Sequence, residues 1–322
     1  MATVTSTSNA KPQIATLKEE KRAPESIWRM AARRFFRHRM AVFGLVLFIL
    51  IVLFVVGGAF FVTEDYSNTP APAIKFQSPS VAHALGTDQV GRDVLARIIY
   101  GGQISLMIAI ASVTISIVLG TVIGLVAGYF AGTSQAWIDA ILMRIVEALL
   151  SFPVLILLLL LSRWMVRLTL TINVLGRELS ATAVGVILLI GLTGWMGLSR
   201  IVRALVLSLR EREFVLAART IGASDRRIIF NHILPNCIAP IVVTATLGIG
   251  GAIITESYLS FLGFGVQPPT ATWGNIMERV RDSFDSAPWL WLYPGGLTVL
   301  TVLAINFIGD GLRDALDPRS QK

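Results

Sequence analysis

A series of long apolar runs separated by polar segments constrains this chain more than any other feature of its sequence. The runs lie at about Met40 to Val62, Ile104 to Phe130, Leu149 to Trp164, Ala181 to Leu198, Cys237 to Leu262 and Leu290 to Ile308, and the third can start as early as Trp137. A helix rises about 1.5 Å per residue, so about 20 apolar residues cross the ~30 Å hydrocarbon layer of a bilayer. The expected fold class is therefore all-α, a polytopic membrane protein with six transmembrane helices. Composition agrees: only 15% of the residues are charged, against about a quarter in soluble domains.

Basic residues set the expected orientation. They crowd the first 39 residues, the stretch from Arg200 to Arg227, and the C-terminal Arg313, Arg319 and Lys322. Placing both termini in the cytoplasm puts all three clusters inside, and accounts for the net charge of +8 without nucleic acid as a partner. Residues 1–39 then form a cytoplasmic tail whose first 23 positions read as disordered. From Pro24 to Arg39, Ile27, Trp28, Ala31, Phe35 and Phe36 alternate with Arg29, Arg33, Arg34, Arg37 and Arg39. That pattern suits a basic amphipathic helix on anionic membrane lipid, or a solvated flank that orients the first span. The span at 40–62 outruns the apolar stretch of a signal peptide and is expected to be retained. An extracytoplasmic segment at 63–103 precedes a core of five spans at 104–312, and 313–322 is a cytoplasmic tail. Cys237, the single cysteine, allows no intrachain disulfide.

The longest polar interruption of the second half, residues 211–236, reads EREFVLAARTIGASDRRIIFNHILPN. Phe214, Val215, Ala217 and Ala218 fit one helical stripe before Gly222, and Ile228, Ile229, His232 and Ile233 fit another after it. Gly222 breaks the run and Ser224 is placed to cap the second helix. The local expectation is helix, turn, helix on the cytoplasmic side, forming a contact surface.

No nucleotide-binding P-loop occurs, since the chain contains no Gly-Lys pair. Neither H-E-x-x-H nor G-x-S-x-G appears, and Phe307 occupies the first glycine position of the Gly-x-Gly-Asp setting that an aspartyl intramembrane protease requires. Arg144 and Glu147, three apart on a predicted helix, are expected to pair on one face. Glu256, at mid-depth of the fifth span, implies either a buried partner or a place on a translocation path.

The spacing around Gly222 carries a resemblance. Ala217-Ala218, three residues, Gly222, nine residues, His232, Ile233 and then Leu234-Pro235 is similar to the EAA loop of binding-protein-dependent ABC importer permeases, with Leu216 in place of the leading Glu and His232 at the Ile position. Two further stretches resemble the dipeptide/oligopeptide/nickel branch of that family and its C-type subunit. One comprises His83, Leu85, Gly86, Thr87, Asp88, Gln89, Gly91, Arg92, Asp93, Val94 and Leu95 with Tyr100-Gly101. The other is LSFLGFGVQPPTATWGN from Leu259, followed by SAPWLWLYPG and FIGDGLRDALDPR.

The resemblance implies the type I ABC importer permease fold in a bacterial inner membrane. It also implies a heterodimer with a sister permease, two ATPase subunits that bind ATP and Mg, an extracytoplasmic substrate-binding protein, and no cofactor on this chain. Ala217, Ala218, Gly222, Ala223, Ser224, Asp225, His232, Leu234 and Pro235 would then couple to the ATPases, with Glu256 on the path. Peptides are the expected cargo, with nickel or glycosides as the alternative within the branch. A self-contained secondary transporter or channel is the rival class, though no clear internal repeat supports it.

Overall fold

The computed structural model describes residues 27–165, 172–174, 177–278, 280 and 283–317. The tail expected to be disordered, 1–23, and the last five residues lie outside the described residues. The elements in chain order are α1 (Ile27–Arg37), α2 (Arg39–Gly57), α3 (Glu64–Asn68), α4 (Val94–Phe130), α5 (Ala136–Leu150), α6 (Val154–Met165), β1 (Ile172–Val174), β2 (Arg177–Leu179), α7 (Ala181–Leu209), α8 (Glu213–Thr220), α9 (Asp225–Arg227), α10 (Leu234–Phe261), α11 (Trp273–Ile276) and α12 (Trp289–Leu316). The all-α expectation holds apart from one antiparallel ribbon, in which Ile172 faces Leu179 and Val174 faces Arg177.

Among the described residues, five helices are long and apolar enough to cross a membrane, and six spans result if α5 and α6 count as one. Those two helices are bent by 90° at the break. Pro153 stands at the bend; it has no N–H to continue the ladder, and its ring would clash with the carbonyl four residues back. The apolar third run is thus a broken span that begins at Ala136. Helices α4 and α7 extend well past their apolar runs, to 37 and 29 residues. Asp93 starts α4 by accepting the Ala96 N–H at 2.9 Å, the side-chain cap that satisfies an otherwise orphaned donor.

Close approach of helix backbones holds the bundle together. Gly120, Gly124 and Gly128 form a four-residue repeat on α4, and α7 lies directly on it: a Cβ at Gly124 would stand 2.6 Å from the Ser199 carbonyl oxygen and 2.7 Å from Val202 Cβ. In hydrocarbon, helices gain no hydrophobic driving force from one another, so small residues that permit dense packing supply the attraction. The same device joins α2 to α12, where a Cβ on Gly44 would lie 2.6 Å from the Ala304 oxygen. Helix α1 is docked through part of its apolar face: Ala31 and Phe35 are buried with Ala41 and Ala315, packed on Leu312 and Leu316 of α12, while Phe36 stays exposed. His38 caps α2 by accepting the Ala41 N–H at 3.1 Å.

Because α4 and α7 run parallel to each other and antiparallel to α10, the bundle has two distinct ends. One carries the 63–93 segment and α11; the other carries α1, α8 and α9.

Candidate functional site

The residues after α7 build a compact hairpin. Helix α8 ends in a Schellman motif: the Ala223 N–H donates to the Ala218 oxygen and the Gly222 N–H donates to the Arg219 oxygen, both at 3.0 Å. That motif places its C′ residue in the left-handed region, and Gly222 has φ +80°. A Cβ there would meet nothing within 4 Å, so backbone conformation and not space demands glycine. Ser224 occupies the N-cap position of α9, but its side chain makes no capping hydrogen bond; its carbonyl accepts the Ile228 N–H instead.

The two expected apolar stripes are redistributed. Of the first, Val215 and Ala218 are buried, while Phe214 and Ala217 face outward; of the second, Ile228 and Ile233 are buried and Ile229 and His232 are half-buried. Two buried residues five apart do not suit an α-helix. The segment Ile228–Ile233 is a π-helix, closed by the Leu234 N–H donating to the Ile229 oxygen five residues back. Pro235 follows immediately and has no N–H for the ladder; its ring would also crowd the Asn231 carbonyl in a regular α-turn, and the wider turn relieves that clash. The helix-turn-helix reading therefore stands in outline, with the second helix merging into α10.

Val215, Ala218, Ile228, Ile233 and Cys237 pack with Leu125 and Tyr129 of α4 and Val202 and Val206 of α7. One polar bond locks the hairpin to the bundle: the Tyr129 hydroxyl donates to Asp225 Oδ1 at 2.5 Å, and the Arg219 guanidinium lies 6.0 Å from the Tyr129 ring centroid. The sequence reading did not single out Tyr129; the one available signal was a hydroxyl-bearing aromatic in the last turn of an apolar run.

What remains outward is a basic, apolar-tipped surface. Ile221 is 85% exposed, and Phe214, Leu216 and Phe230 are each more than two-fifths exposed. Arg212, Arg219, Arg226 and Arg227 surround them, all exposed. Isolated exposed apolar side chains are ordinary, but four grouped on a hairpin held by a buried base form a candidate contact surface. Among the expected site residues, Ala217, Gly222, Ser224, Asp225 and Pro235 are exposed; Ala223, His232 and Leu234 are half-buried; Ala218 belongs to the base.

Glu256 lies elsewhere, about 33 Å along α10 from Leu234. Of the two possibilities the sequence left open, the structure supplies the buried partners. The side chain is fully buried, its Oε2 accepting from Ser105 Oγ at 2.9 Å and its Oε1 from Ser260 Oγ at 2.8 Å. Ser105 in turn accepts the Trp273 N–H at 3.2 Å and Ser260 accepts the Val266 N–H at 3.1 Å. The carboxylate thus joins α4, α10 and the polar segment after α10, and the Trp273 indole donates to the Ile98 oxygen at 3.0 Å. Alongside, Asp88 binds Arg92 Nε at 2.7 Å and stands 3.7 Å from Arg97 Nε.

Arg144 and Glu147 pair at 3.5 Å on a strongly exposed face of α5, while Arg203 of α7 and Asp139 of α5 form a bidentate pair at 2.5 and 2.7 Å. Among the described residues, no group of three or more His, Cys, Asp or Glu side chains is arranged to hold a metal ion.

Comparison with known proteins converges on one family. Residues 120–322 match the family described as binding-protein-dependent transport system inner membrane component. Residues 26–79 match the N-terminal TM domain of oligopeptide transport permease C. A putative peptide permease protein of Brucella suis is 44% identical over 293 residues, covering 90% of this chain and 91% of the relative. A dipeptide transport system permease protein of Alkalihalophilus pseudofirmus is 38% identical over 301 residues, covering 94% of this chain and 93% of the relative.

Proposed function

This chain belongs to the family of binding-protein-dependent transport system inner membrane components, and from that premise we propose that it is the C-type permease subunit of an ATP-driven importer of short peptides. The peptide cargo is supported by the names of relatives that match it over 90–94% of its length. It forms half of a path through the bacterial inner membrane beside a sister permease, with both termini and the Gly222 hairpin in the cytoplasm. Two ATPase subunits supply the nucleotide chemistry, and no nucleotide site is assigned to this chain. An extracytoplasmic binding protein delivers the cargo at the opposite end.

The observation that carries the coupling role is the Gly222 hairpin itself. Its buried base is packed on α4 and α7, so a push on its tip moves those helices as a unit, while Phe214, Leu216, Ile221 and Phe230 offer the tip to a partner. ATP-driven closure of the ATPase pair is then transmitted as a rigid-body movement that alternates the side to which the path opens. Gly222→Val tests this. Forcing a β-branched residue to φ +80° costs about 1–2 kcal/mol and distorts the tip without touching the base. Expected are normal membrane abundance and uptake reduced to the level of a deletion strain. Normal uptake by an abundant Gly222→Val protein removes the coupling assignment.

A further inference from the structure

Arg200 was counted as a loop cation in the sequence, but α7 carries it inside a spanning helix, 19 residues from its start at Ala181. Among the described residues it makes no hydrogen bond or ion pair, and its side chain is exposed. Nineteen residues of rise carry it about 28 Å from the start of α7, near the cytoplasmic edge of a ~30 Å hydrocarbon layer, so the groove beside it decides what the guanidinium meets. It lines an open groove of about 580 Å³ between α5 and α7, shared with Glu147, Met143, Val146, Gly197 and Ile201, within the ~300–1,000 Å³ of small-molecule sites.

The groove carries two arginines, Arg200 and Arg203, and one carboxylate, Glu147, among small and apolar residues. Glu147 pairs with the exposed Arg144 at 3.5 Å, an exposed pairing of the kind that contributes little, and it also lies in the field of Arg203; its carboxylate stays open to the groove. A Cβ on Gly197 would meet nothing within 4 Å, so packing within the chain gives no reason for a glycine there; its effect is to leave the groove open. Met143 and Ile201 supply apolar wall, and the unbranched Met143 side chain can adapt to varied side chains. The Arg203–Asp139 bidentate pair ties α5 to α7 beside the groove, fixing the separation of its two walls.

We propose that this groove is a station for short peptides with free termini: the Arg200 guanidinium takes the α-carboxylate and Glu147 takes the α-ammonium group. The proposal rests on the peptide-importer reading above. It makes recognition depend on what all short peptides share and leaves their side chains to apolar, adaptable walls.

The test uses the strain that encodes this chain, with the chromosomal copy replaced by each variant, and measures uptake of radiolabelled dialanine and dialanine amide. The binding protein is the same in every strain, so a change in the acid-to-amide ratio belongs to this chain. The wild type is expected to favour the free acid. Arg200→Gln is expected to lower that ratio about tenfold or more, the effect of losing a charge-assisted hydrogen bond, with the sister permease still co-purifying. Arg200→Lys is expected to lie between, because it keeps the charge without the planar fork. Glu147→Gln is expected to weaken discrimination against N-acetyl-dialanine in the same way. An unchanged acid-to-amide ratio in Arg200→Gln overturns the proposal; so does loss of the sister permease, which would assign Arg200 to the subunit interface. If the Gln variant is scarce in the membrane, Arg200→Lys decides: an unchanged ratio overturns the proposal. A wild-type strain no better than a deletion strain with either peptide fails the importer reading itself, and this proposal with it.

Discussion

The two ends of the bundle solve opposite problems. At the Trp273 end, polar groups are driven inward: Glu256, Ser105, Ser260 and Asp88 are buried and hydrogen-bonded, and the segment after α10 is pinned to α4 by the Trp273 indole. At the Gly222 end, a small buried base supports apolar side chains turned outward, and Tyr129 holds the hairpin through its bond to Asp225 and its contact with Arg219. A buried polar network is costly to disturb anywhere, because each broken bond strands a desolvated partner. An exposed hairpin tip is cheap to alter in isolation, so its residues report on the partner it meets. The first end is built for internal rigidity and the second for contact.

The comparison breaks most easily at Trp273. Trp273→Ala leaves a large cavity and removes the indole bond to the Ile98 carbonyl, and is expected to destabilise the fold by about 3–5 kcal/mol. The expected readout is a strong fall in the thermal midpoint of the detergent-solubilised protein. A midpoint close to that of the wild type would show that the cap is a loose cover and not part of the core.

Tyr129→Phe removes the hydroxyl bonded to Asp225 and keeps the ring; about 1.5–3 kcal/mol is at stake for a hydrogen bond to a charged group. The loss should appear locally, as faster amide hydrogen exchange over 213–233 with little change in the central helices. Uniform exchange across the chain would mean that the hairpin is no separate unit.

The smallest effect on stability, within about 0.5 kcal/mol, is expected of Ile221→Ser at the exposed tip. Abundance and thermal midpoint should match the wild type while co-purification of the ATPase subunits declines. Unchanged ATPase recovery would place the contact elsewhere on the hairpin.

Several of these features were legible along the chain. The Gly222 turn could be read from a glycine between two apolar patterns, and the structure adds the reason, a Schellman motif at φ +80°. The Gly120, Gly124 and Gly128 repeat was not singled out in the sequence, and the placement of α7 is what gives it its role in packing. Glu256 could not be resolved in advance: one carboxylate in an apolar run is compatible with a path or with burial, and its partners Ser105 and Ser260 lie 151 and 4 residues away. The 228–233 segment misled the periodic reading because Pro235 widens the turn before it, which alters the spacing of the buried face.

By itself the sequence determined the class of molecule, a multi-pass membrane protein, since run length is a local quantity that one-dimensional counting captures. It also carried the spacing of the Gly222 hairpin, because glycine and proline act on their own backbone. Only the tertiary structure decided which charges are satisfied. Whether Glu256 is enclosed, Asp225 is held or Arg200 is left facing an open groove depends on residues brought together from distant positions, and the cost of a charge in a membrane protein is set by those neighbours and not by the residue that bears it.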